Sequence, residues 1–269
     1  MLICPLCETG LKMTSTGVAC ENKHSFDRAR QGYLNLLPVQ YKASRAPGDN
    51  TAMVQARRSF LSGGYYRPIA DFLCEHAVAC KPSEWLDIGC GEGYYSHAIT
   101  TALGSGSGYA LDISKEAIIQ ACKRDKSINW LIASMARVPL ATKSLDLLFS
   151  IFSPLDWQEA ERLLSARGVL LHLGPARDHL LELRKMIYDS VRPYNDAKHL
   201  AKLPDGLQVV HTEFLNFTLN LPDRDARLNL LLMTPHGQRA RQECRDNVVQ
   251  TLEAVTVSVR LDRIERVGD

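Results

Sequence analysis

The chain has 269 residues, of which 45% are apolar and 7% aromatic, and a formal net charge of +2 at pH 7. That length fits one large domain, or a large and a small domain, with enough apolar residues for a substantial core. No apolar run reaches the length of a membrane span, and the N-terminus lacks the pattern of a signal peptide. These features predict a cytoplasmic protein whose eight cysteines are reduced, buried or metal-bound rather than disulfide-linked.

The positive charge is concentrated at the N-terminal end. Residues 1–60 contain eight lysines and arginines against four acids, a net charge of +4, whereas residues 61–269 have a net charge of −2. An ordinary solvated face and a surface that holds phosphate both remain open as interpretations. The basic side chains of the second interpretation are Arg28, Arg30, Lys42, Arg45, Arg57 and Arg58.

Four potential metal ligands lie within the first 24 residues. Two residues separate Cys4 from Cys7, and three separate Cys20 from His24. These short spacings allow both side chains of a pair to face one ion, and three thiolates with one imidazole suit zinc. Because protein groups fill all four positions, we expect a structural zinc site. A redox Cys-x-x-Cys pair and incidental cysteines are the alternatives.

The segment after the metal ligands is predicted to connect two domains. A polar stretch follows Pro38, and helical spacing resumes from Met53 to Leu61 before Gly63 and Gly64 end it. The predicted division is residues 1–37 for a zinc-ribbon domain, 38–64 for a linker and helix, and 65–269 for the large domain.

The run Trp85-Leu-Asp-Ile-Gly-Cys-Gly-Glu-Gly93 is the most informative motif of the chain. It predicts the end of a buried strand, a glycine turn and a helix from Tyr94 to Leu103. Glycines at 89, 91 and 93 let backbone N–H groups approach a ligand without interference from Cβ. The Gly-x-Gly-x-Gly spacing, with Asp87 at the strand end, favours a compact cationic cofactor over a pyrophosphate.

A second acid, Asp112, closes the next apolar run, where a carboxylate can hold both hydroxyls of a ribose. Together these residues resemble the S-adenosylmethionine site of class I methyltransferases. The expected cofactor contacts are Asp87, Gly89, Gly91, Gly93 and Asp112. A Rossmann-like domain that binds another nucleoside is the alternative.

Strands and helices alternate through the rest of the large domain, which predicts a parallel, doubly wound α/β sheet. The predicted elements are a helix from Ser114 to about Lys123, strands over Ile128–Ile132, Ser144–Phe152 and Val169–Leu173, and a helix from about Asp178 to Val191. Near the end, Leu215–Leu221 and Val255–Leu261 alternate apolar with polar residues, as strands with one buried face do. Such a closing antiparallel pair is typical of the class I (Rossmann-like) methyltransferase fold.

Several motifs in order resemble the bacterial 23S rRNA (guanine-N1)-methyltransferases over nearly the whole chain. They are Cys4-Pro-Leu-Cys7 with Cys20-x3-His24, Gly32-Tyr-Leu-Asn-Leu-Leu-Pro-Val-Gln40, Ser44-Arg-Ala-Pro-Gly-Asp49, Gln55-Ala-Arg-Arg58, Leu86-Asp-Ile-Gly-Cys-Gly-Glu-Gly-Tyr-Tyr95 and Leu232-Met-Thr-Pro235. The resemblance implies a zinc-ribbon domain for RNA recognition, a methyltransferase domain and a homodimer. It implies methylation of N1 of a guanine in a stem-loop of 23S rRNA, with S-adenosylmethionine as methyl donor.

The resemblance also implies further cofactor contacts at Tyr66, Tyr95, Ser96 and His179. One extra residue precedes His179 in this chain, and a lone histidine there would otherwise be interpreted as a surface residue. The family usually has an aromatic residue and a tryptophan after Pro235, where this chain has His236-Gly-Gln-Arg239. This difference from the family affects the residues that are expected to form the pocket for the target base.

N1 of guanine lies on the Watson–Crick edge, so the target base must be unpaired or flipped. Tyr65, Tyr66, Phe152 and Trp157 are candidates for stacking on it, with core packing as the alternative for Phe152 and Trp157. No residue is a convincing general base. Asp156 is the weak catalytic candidate, and its carboxylate could equally cap the following helix.

Two other functions remain open from the sequence. A class I methyltransferase could act on a small molecule, with the zinc module as a lid, although the basic N-terminal end argues against it. A zinc-binding module could instead be attached to a degenerate methyltransferase domain. The intact glycines and Asp112 argue against that possibility.

Overall fold

A computed structural model describes residues 2–41 and 48–268 of the chain. The strands form a three-stranded antiparallel sheet, β1-β2-β3, near the N-terminus, and an eight-stranded sheet. They are β1 (Lys12–Met13), β2 (Gly17–Ala19), β3 (Ser25–Asp27), β4 (Leu34–Asn35), β5 (Glu84–Ile88), β6 (Ser107–Asp112), β7 (Asn129–Ile132), β8 (Leu145–Ile151), β9 (Leu164–Pro175), β10 (Leu207–Asn220) and β11 (Ala254–Arg266).

Nine α-helices lie in the described part of the chain, and none of them is long and apolar enough to cross a membrane. They are α1 (Thr51–Ser62), α2 (Arg67–Cys80), α3 (Tyr94–Leu103), α4 (Lys115–Arg124), α5 (Trp157–Leu163), α6 (Leu181–Ile187), α7 (Arg224–Leu232), α8 (Pro235–Arg239) and α9 (Gln242–Thr251). Two short 3-10 helices span Val39–Tyr41 and Lys198–Lys202.

The large sheet has the strand order β10-β11-β9-β8-β5-β6-β7-β4. The strands from β9 to β4 are parallel to their neighbours, whereas β11 pairs antiparallel with β9 and β10. Its apolar side chains pack on both faces: Leu147 and Phe149 belong to one buried cluster, and Leu148 to the other. Burial on both faces explains the near-continuous apolar runs of the central strands. The predicted α/β fold with an antiparallel final pair is confirmed.

Two predicted elements have different lengths in the structure. Strand β9 continues to Pro175 because it pairs with β11 up to the register Val259↔Pro175. The following helix is shorter than predicted and begins only at Leu181. Leu180 has a φ of 53°, outside the helical region, and its N–H donates to the carbonyl of Thr256 on β11. The periodicity assigns the segment before Leu181 to the start of the helix, but a hydrogen bond to β11 holds it in a non-helical conformation.

The end of the predicted zinc-ribbon domain and the helix of the predicted linker lie against the large domain. Leu34 and Asn35, within residues 1–37, add β4 to the edge of the large sheet beside β7. Helix α1 begins at Thr51, because Asn50 caps it by accepting a hydrogen bond from the N–H of Met53 at 3.0 Å. The predicted polar linker is therefore shorter than expected, and part of its turn signal lies outside the described residues. The domain division itself stays a prediction.

Candidate active site and metal centre

The four predicted metal ligands come together beside the small sheet, where Cys20 follows β2 and His24 precedes β3. His24 Nδ1 lies 3.5 Å from the Sγ atoms of both Cys4 and Cys20, and Cys7 Sγ lies 3.7 Å from Cys20 Sγ. A tetrahedral zinc ion with ordinary bond lengths requires S···N distances of about 3.6 Å and S···S distances of about 3.8 Å. The arrangement therefore fits zinc held by three thiolates and by Nδ1 of the histidine.

The surroundings of the group favour the thiolate form of one ligand. The hydroxyl of Thr9 lies 3.2 Å from Cys7 Sγ and, with Asn22, lowers the pKa of Cys7 to about 5. Thiolates are the form that binds zinc. All eight cysteines are free of disulfide bonds in the structure.

The glycine turn has the backbone that its composition predicts. Gly89, Gly91 and Gly93 have φ values of 73°, 56° and 81°, a region that side chains with Cβ rarely adopt. A Cβ atom on Gly89 would lie 2.0 Å from Ser153 Oγ, and one on Gly93 would lie 2.6 Å from the Trp130 ring. The turn is therefore restricted to glycine by its dihedral angles and also by its neighbours.

Asp87 is a buried carboxyl group with one partner. Its Oδ2 accepts a hydrogen bond of 2.6 Å from the Ser96 hydroxyl, whereas Oδ1 is buried without a partner among the described residues. Burial raises the pKa of Asp87 to about 7. A cation beside Oδ1 would supply the missing partner and favour the ionised form. The group thus suits the ammonium of an S-adenosylmethionine molecule, as the sequence predicts for a cationic cofactor.

Asp112 closes the same site from the neighbouring strand. Its Oδ2 accepts a hydrogen bond of 2.9 Å from the N–H of Gly91, and its Oδ1 accepts one of 2.7 Å from the N–H of Ser114. These bonds fix the carboxylate beside the glycine turn, and each oxygen keeps a lone pair for a ribose hydroxyl. We call Asp87, the three glycines and Asp112 the cofactor half of the site.

Two further predicted contacts lie at the start of α3. Ser96 is fully buried and donates its hydroxyl hydrogen to Asp87, so in the structure it supports that carboxylate. The hydroxyl of Tyr95 is buried without a hydrogen-bond partner among the described residues. An unpaired buried hydroxyl is costly, which makes it a second candidate for a polar contact to the cofactor.

Three rings form a group at the carboxyl ends of β8 and β9. The ring of Phe152 lies 6.2 Å from the ring of Tyr66 and 5.5 Å from the ring of His179. Tyr66 and His179 are buried, whereas Phe152 is 38% exposed and has a φ of 51°, an unusual value for a bulky side chain. We call these three residues the target half of the site.

His179 is a buried residue and not the surface histidine that a lone histidine would suggest. The turn that carries it is joined to β11, since Ala176 N–H donates to the Ser258 carbonyl at 2.9 Å. In return, the N–H of Ser258 donates to His179 Nδ1 at 3.3 Å. Burial lowers the pKa of His179 to about 4, so the ring is neutral near pH 7.

A second layer behind the target half was not predicted from the sequence. His236 lies between two phenols, with Nδ1 2.9 Å from the Tyr188 hydroxyl and Nε2 2.9 Å from the Tyr194 hydroxyl. The guanidinium of Arg184 covers the Tyr194 ring at 4.0 Å and donates to the carbonyl of His179 at 3.3 Å. His236, one of the residues at which this chain differs from the family, therefore belongs to the group of side chains behind His179.

Trp157, a predicted stacking candidate, belongs to the core. Its ring stacks on His172, which in turn stacks on His199 at 4.3 Å. His172, His199 and Asp262 could in principle hold a metal ion, but Asp262 already accepts hydrogen bonds from His199 at 2.8 Å and from Arg260 at 2.9 Å. The positive guanidinium takes the place of a cation there. We interpret this group as a buried polar support of the sheet.

Asp156, the weak candidate for a general base, caps α5. Its Oδ1 accepts hydrogen bonds of 3.1 Å from the N–H groups of Gln158 and Glu159. This geometry is the capping alternative, and it leaves the general base unassigned.

The basic residues of the N-terminal end are used in different ways. Arg57 forms an ion pair with Asp49 and lies beside Gly91, so it supports the cofactor half. Arg58 donates to Gln120, and Arg28 donates to the carbonyl of Gly32. Arg30 is exposed. Lys42 and Arg45 lie outside the described residues.

The sheet order, the glycine turn and the two acids define a class I S-adenosylmethionine-dependent methyltransferase, here with an N-terminal zinc ribbon. Residues 2–45 match the zinc-ribbon model described as "RlmA, N-terminal", and residues 86–172 match a methyltransferase domain model. A chain of a solved complex between the Haloferax volcanii Trm112 methyltransferase activator and a methyltransferase has the same fold. Its TM-score is 0.50 at 17% identity, over 83% of this chain and 100% of that chain.

Two curated relatives specify the family. A Bacillus subtilis protein named as a candidate 23S rRNA (guanine-N(1)-)-methyltransferase is 31% identical over 97% of this chain and 95% of its own length. The 23S rRNA (guanine(748)-N(1))-methyltransferase of Streptomyces fradiae is 32% identical over 87% of this chain and 84% of its own length. The chain belongs to the 23S rRNA (guanine-N1)-methyltransferase family.

Proposed function

We propose that the chain methylates N1 of one guanine in a stem-loop of 23S rRNA, with S-adenosylmethionine as methyl donor. The observation that supports this most is the position of the exposed Phe152 ring at the end of β8, beside the glycine turn that follows β5. An open aromatic ring beside a cofactor turn suits an unpaired base. The relatives named as 23S rRNA (guanine-N1)-methyltransferases support the same substrate.

The cofactor half would hold the donor from two sides. Asp87, through Oδ1, and the Tyr95 hydroxyl offer unpaired polar atoms for its amino-acid part, and Ser96 keeps Asp87 in place. Asp112 offers its free lone pairs to the ribose, and the glycines allow the backbone to approach. Tyr66 and His179, which belong to the target half, would contact the donor where the two halves meet. When bound, the donor supplies a methyl group that is attached to a sulfonium sulfur. The sulfur is a good leaving group because it becomes an uncharged thioether.

The residues of the chain act mainly by alignment. Transfer requires N1 of guanine to lose its proton, which would go to water. The bound donor would then supply the methyl carbon to N1 and keep its sulfur as a neutral thioether. Correct orientation of two reactants can supply about 7–11 kcal/mol of the barrier. Stacking on Phe152 would hold the base plane, and a base held in this way contributes about 1–3 kcal/mol.

We further propose that residues 1–37 recognise RNA, that residues 65–269 carry the methyl transfer, and that the protein acts in the cytoplasm as a homodimer. Binding of an rRNA fragment, measured by fluorescence anisotropy, should weaken steeply as salt increases. In a plot of log affinity against log salt concentration, Arg30→Ala should lower the slope by the amount expected for about one phosphate contact. Arg167→Ala, at the amino end of β9, should leave this slope unchanged. A flat salt dependence would contradict the RNA-binding role. Sedimentation at micromolar concentration tests the dimer.

Methyl transfer can be tested chemically. Zinc-loaded protein would be incubated with methyl-labelled S-adenosylmethionine and unmodified 23S rRNA, and the RNA digested to nucleosides. We expect the label in 1-methylguanosine, and no label when the stem-loop is annealed to a complementary strand that pairs its guanines. Label in another nucleoside would contradict the N1 position, and unlabelled RNA would contradict the substrate.

A further inference from the structure

Two arginines reach the glycine turn, and their ion pairs differ in exposure. Arg124 donates through Nε to Oε2 of Glu92 at 3.0 Å, and Glu92 is buried. Arg57 forms an ion pair with Asp49, in which the two side chains are 29% and 27% exposed. The charge of Arg124 is therefore matched inside the protein, whereas the pair of Arg57 is open to solvent beside the cofactor half.

The Arg57 side chain lies across the middle of the turn. A Cβ atom on Gly91 would lie 3.6 Å from Nη1 of Arg57 and 4.0 Å from its Cδ, which is ordinary van der Waals contact. Burial raises the pKa of Asp112, and the positive charge of Arg57 opposes this shift. Burial also raises the pKa of Tyr95, and Arg57 opposes that shift too. The guanidinium is therefore close to the ribose acid and to Tyr95 at once.

The bonds that hold Arg57 leave part of its guanidinium available. Its partner Asp49 is fixed beside Asp112, because the Ser114 hydroxyl donates to the carbonyl of Asp49 at 3.0 Å and the Ser114 N–H donates to Asp112. Nη2 of Arg57 donates to the carbonyl of Met233 at 3.4 Å. A guanidinium has five N–H groups, and the bonds to Asp49 and Met233 use two of them. Arg57 is thus held in place and still has donors for a ligand.

The carboxylate of S-adenosylmethionine requires a partner that the acids of the site cannot supply. The ammonium of the cofactor suits Asp87 and its ribose suits Asp112, but its carboxylate is negative. A charged group that is buried without a partner is costly. The Tyr95 hydroxyl is one donor, since it is buried without a partner among the described residues. Arg57 adds a positive charge, and the planar guanidinium can bind a carboxylate through two parallel hydrogen bonds.

We propose that Arg57 binds the carboxylate of the methionine part of S-adenosylmethionine, with the Tyr95 hydroxyl as a second donor. Arg57 is thereby assigned to the cofactor and removed from the basic residues that could hold phosphate. This inference rests on the part of the proposed function in which the cofactor half holds the methyl donor, and it does not require RNA. Asp49 acts on the cofactor through Arg57, as a positioning residue.

Three ligands that differ in their amino-acid part test the proposal by calorimetry without RNA. They are S-adenosylmethionine, its decarboxylated form, and methylthioadenosine, which lacks the amino-acid part. The wild type should bind S-adenosylmethionine about 10–100-fold more tightly than the decarboxylated form, the effect of a hydrogen bond to a charged group. In Arg57→Gln this preference should disappear, because the affinity for S-adenosylmethionine falls and the affinity for the decarboxylated form does not.

A second variant and a control keep the test specific. Arg57→Lys retains the positive charge and loses the planar pair of donors, so its preference should be intermediate. Arg58→Gln is the matched control, because Arg58 is exposed at the next position of α1 and donates to Gln120. It should bind all three ligands as the wild type does. Methylthioadenosine should bind equally to every variant, which shows that the ribose side of the site is intact.

Two results would overturn the role of Arg57. A wild type that binds S-adenosylmethionine and its decarboxylated form equally would show that the carboxylate has no strong partner. An Arg57→Gln variant that loses affinity for all three ligands by the same factor would make Arg57 a support of the glycine turn. Wild-type protein that shows the expected preference but does not methylate rRNA would overturn the RNA substrate of the proposed function alone.

Discussion

The two halves of the site are built in different ways from the same sheet. The cofactor half comes from a short stretch, Asp87–Gly93, and one acid on the next strand, and its backbone is fixed by positive φ values and close neighbours. The target half takes Tyr66, Phe152 and His179 from three distant segments and is held by β11 and a layer of phenols behind it. A common donor can be recognised by a local motif, whereas the binding site for a particular base has to be assembled by the fold.

The largest loss of cofactor affinity is expected for a change in the glycine turn. Gly89→Ala brings a Cβ to 2.0 Å from Ser153 Oγ at a φ of 73°. Overpacking typically costs about 1–3 kcal/mol, so cofactor affinity measured by calorimetry should fall about 10–100-fold. Gly104→Ala is the matched control, because Gly104 has a φ of 65° but no atom within 4 Å of its Cβ position. It should lose some stability and keep the affinity. Equal affinity loss in both variants would contradict the steric explanation.

The next effect should be confined to the target half. Phe152→Ala should lower kcat/KM for rRNA by about 10–100-fold, the value of one stacked base, with cofactor affinity unchanged. Phe214→Ala, on the outer strand β10 and 50% exposed, is the control for loss of an exposed aromatic ring. If cofactor binding weakens together with RNA turnover in Phe152→Ala, the division into two halves is wrong.

The cofactor half is a local motif and the target half is assembled from distant segments, so the sequence predicts the two halves to different extents. The zinc ligands and the glycine turn are encoded by spacing over a few residues, so the sequence alone predicts both. The target half depends on contacts between residues 42 and 79 positions apart, such as Tyr194 with His236 and His179 with Ser258. Residue spacing carries no signal for such contacts. The family resemblance predicts Tyr66 and His179 only as cofactor contacts, and Tyr66 is in addition a candidate for stacking on the base.

Sequence periodicity also fails to predict elements that are very short or that tertiary contacts alter. Strand β4 has two residues, too few to show an alternating pattern, and only its pairing with β7 defines it. The helix predicted from Asp178 lost its first turn to hydrogen bonds with β11. In both cases tertiary pairing decided the structure where local preference did not.

The charge of the cofactor half can be examined through pH. The folded pKa of Asp87 is about 7, above its ordinary value of 3.8, because burial disfavours the carboxylate. Between these values the unfolded state binds fewer protons than the folded state. The free energy of unfolding of the cofactor-free protein should therefore fall as pH rises from about 4 to 7.

Asp87→Asn should remove this contribution, which is on the order of 2–4 kcal/mol above pH 7. Urea titrations of both proteins at pH 5 and pH 8 would measure it. The affinity of the wild type for S-adenosylmethionine should increase as pH rises through about 7, and the variant should bind weakly at every pH. Wild-type affinity that decreases over this interval would contradict the role of Asp87 as partner of a cation.

The smallest effect is expected outside both halves. Asp156→Ala should destabilise the protein by about 1 kcal/mol through loss of the cap of α5, whereas Asp156→Asn keeps a capping oxygen and should be near neutral. Thermal unfolding would show this difference. Turnover at saturating rRNA should be unchanged in both variants. A loss of turnover in Asp156→Asn, with stability intact, would restore Asp156 as a general base.

The central claim is that the two halves together methylate one guanine on its pairing edge. The most direct test is to map reverse-transcription stops on unmodified 23S rRNA after incubation with the zinc-loaded protein and S-adenosylmethionine, because a methyl group at N1 blocks base pairing. The account predicts a single cofactor-dependent stop at a guanine within one stem-loop. The absence of any new stop, with the cofactor bound normally, would contradict it and point to a small molecule as the methyl acceptor.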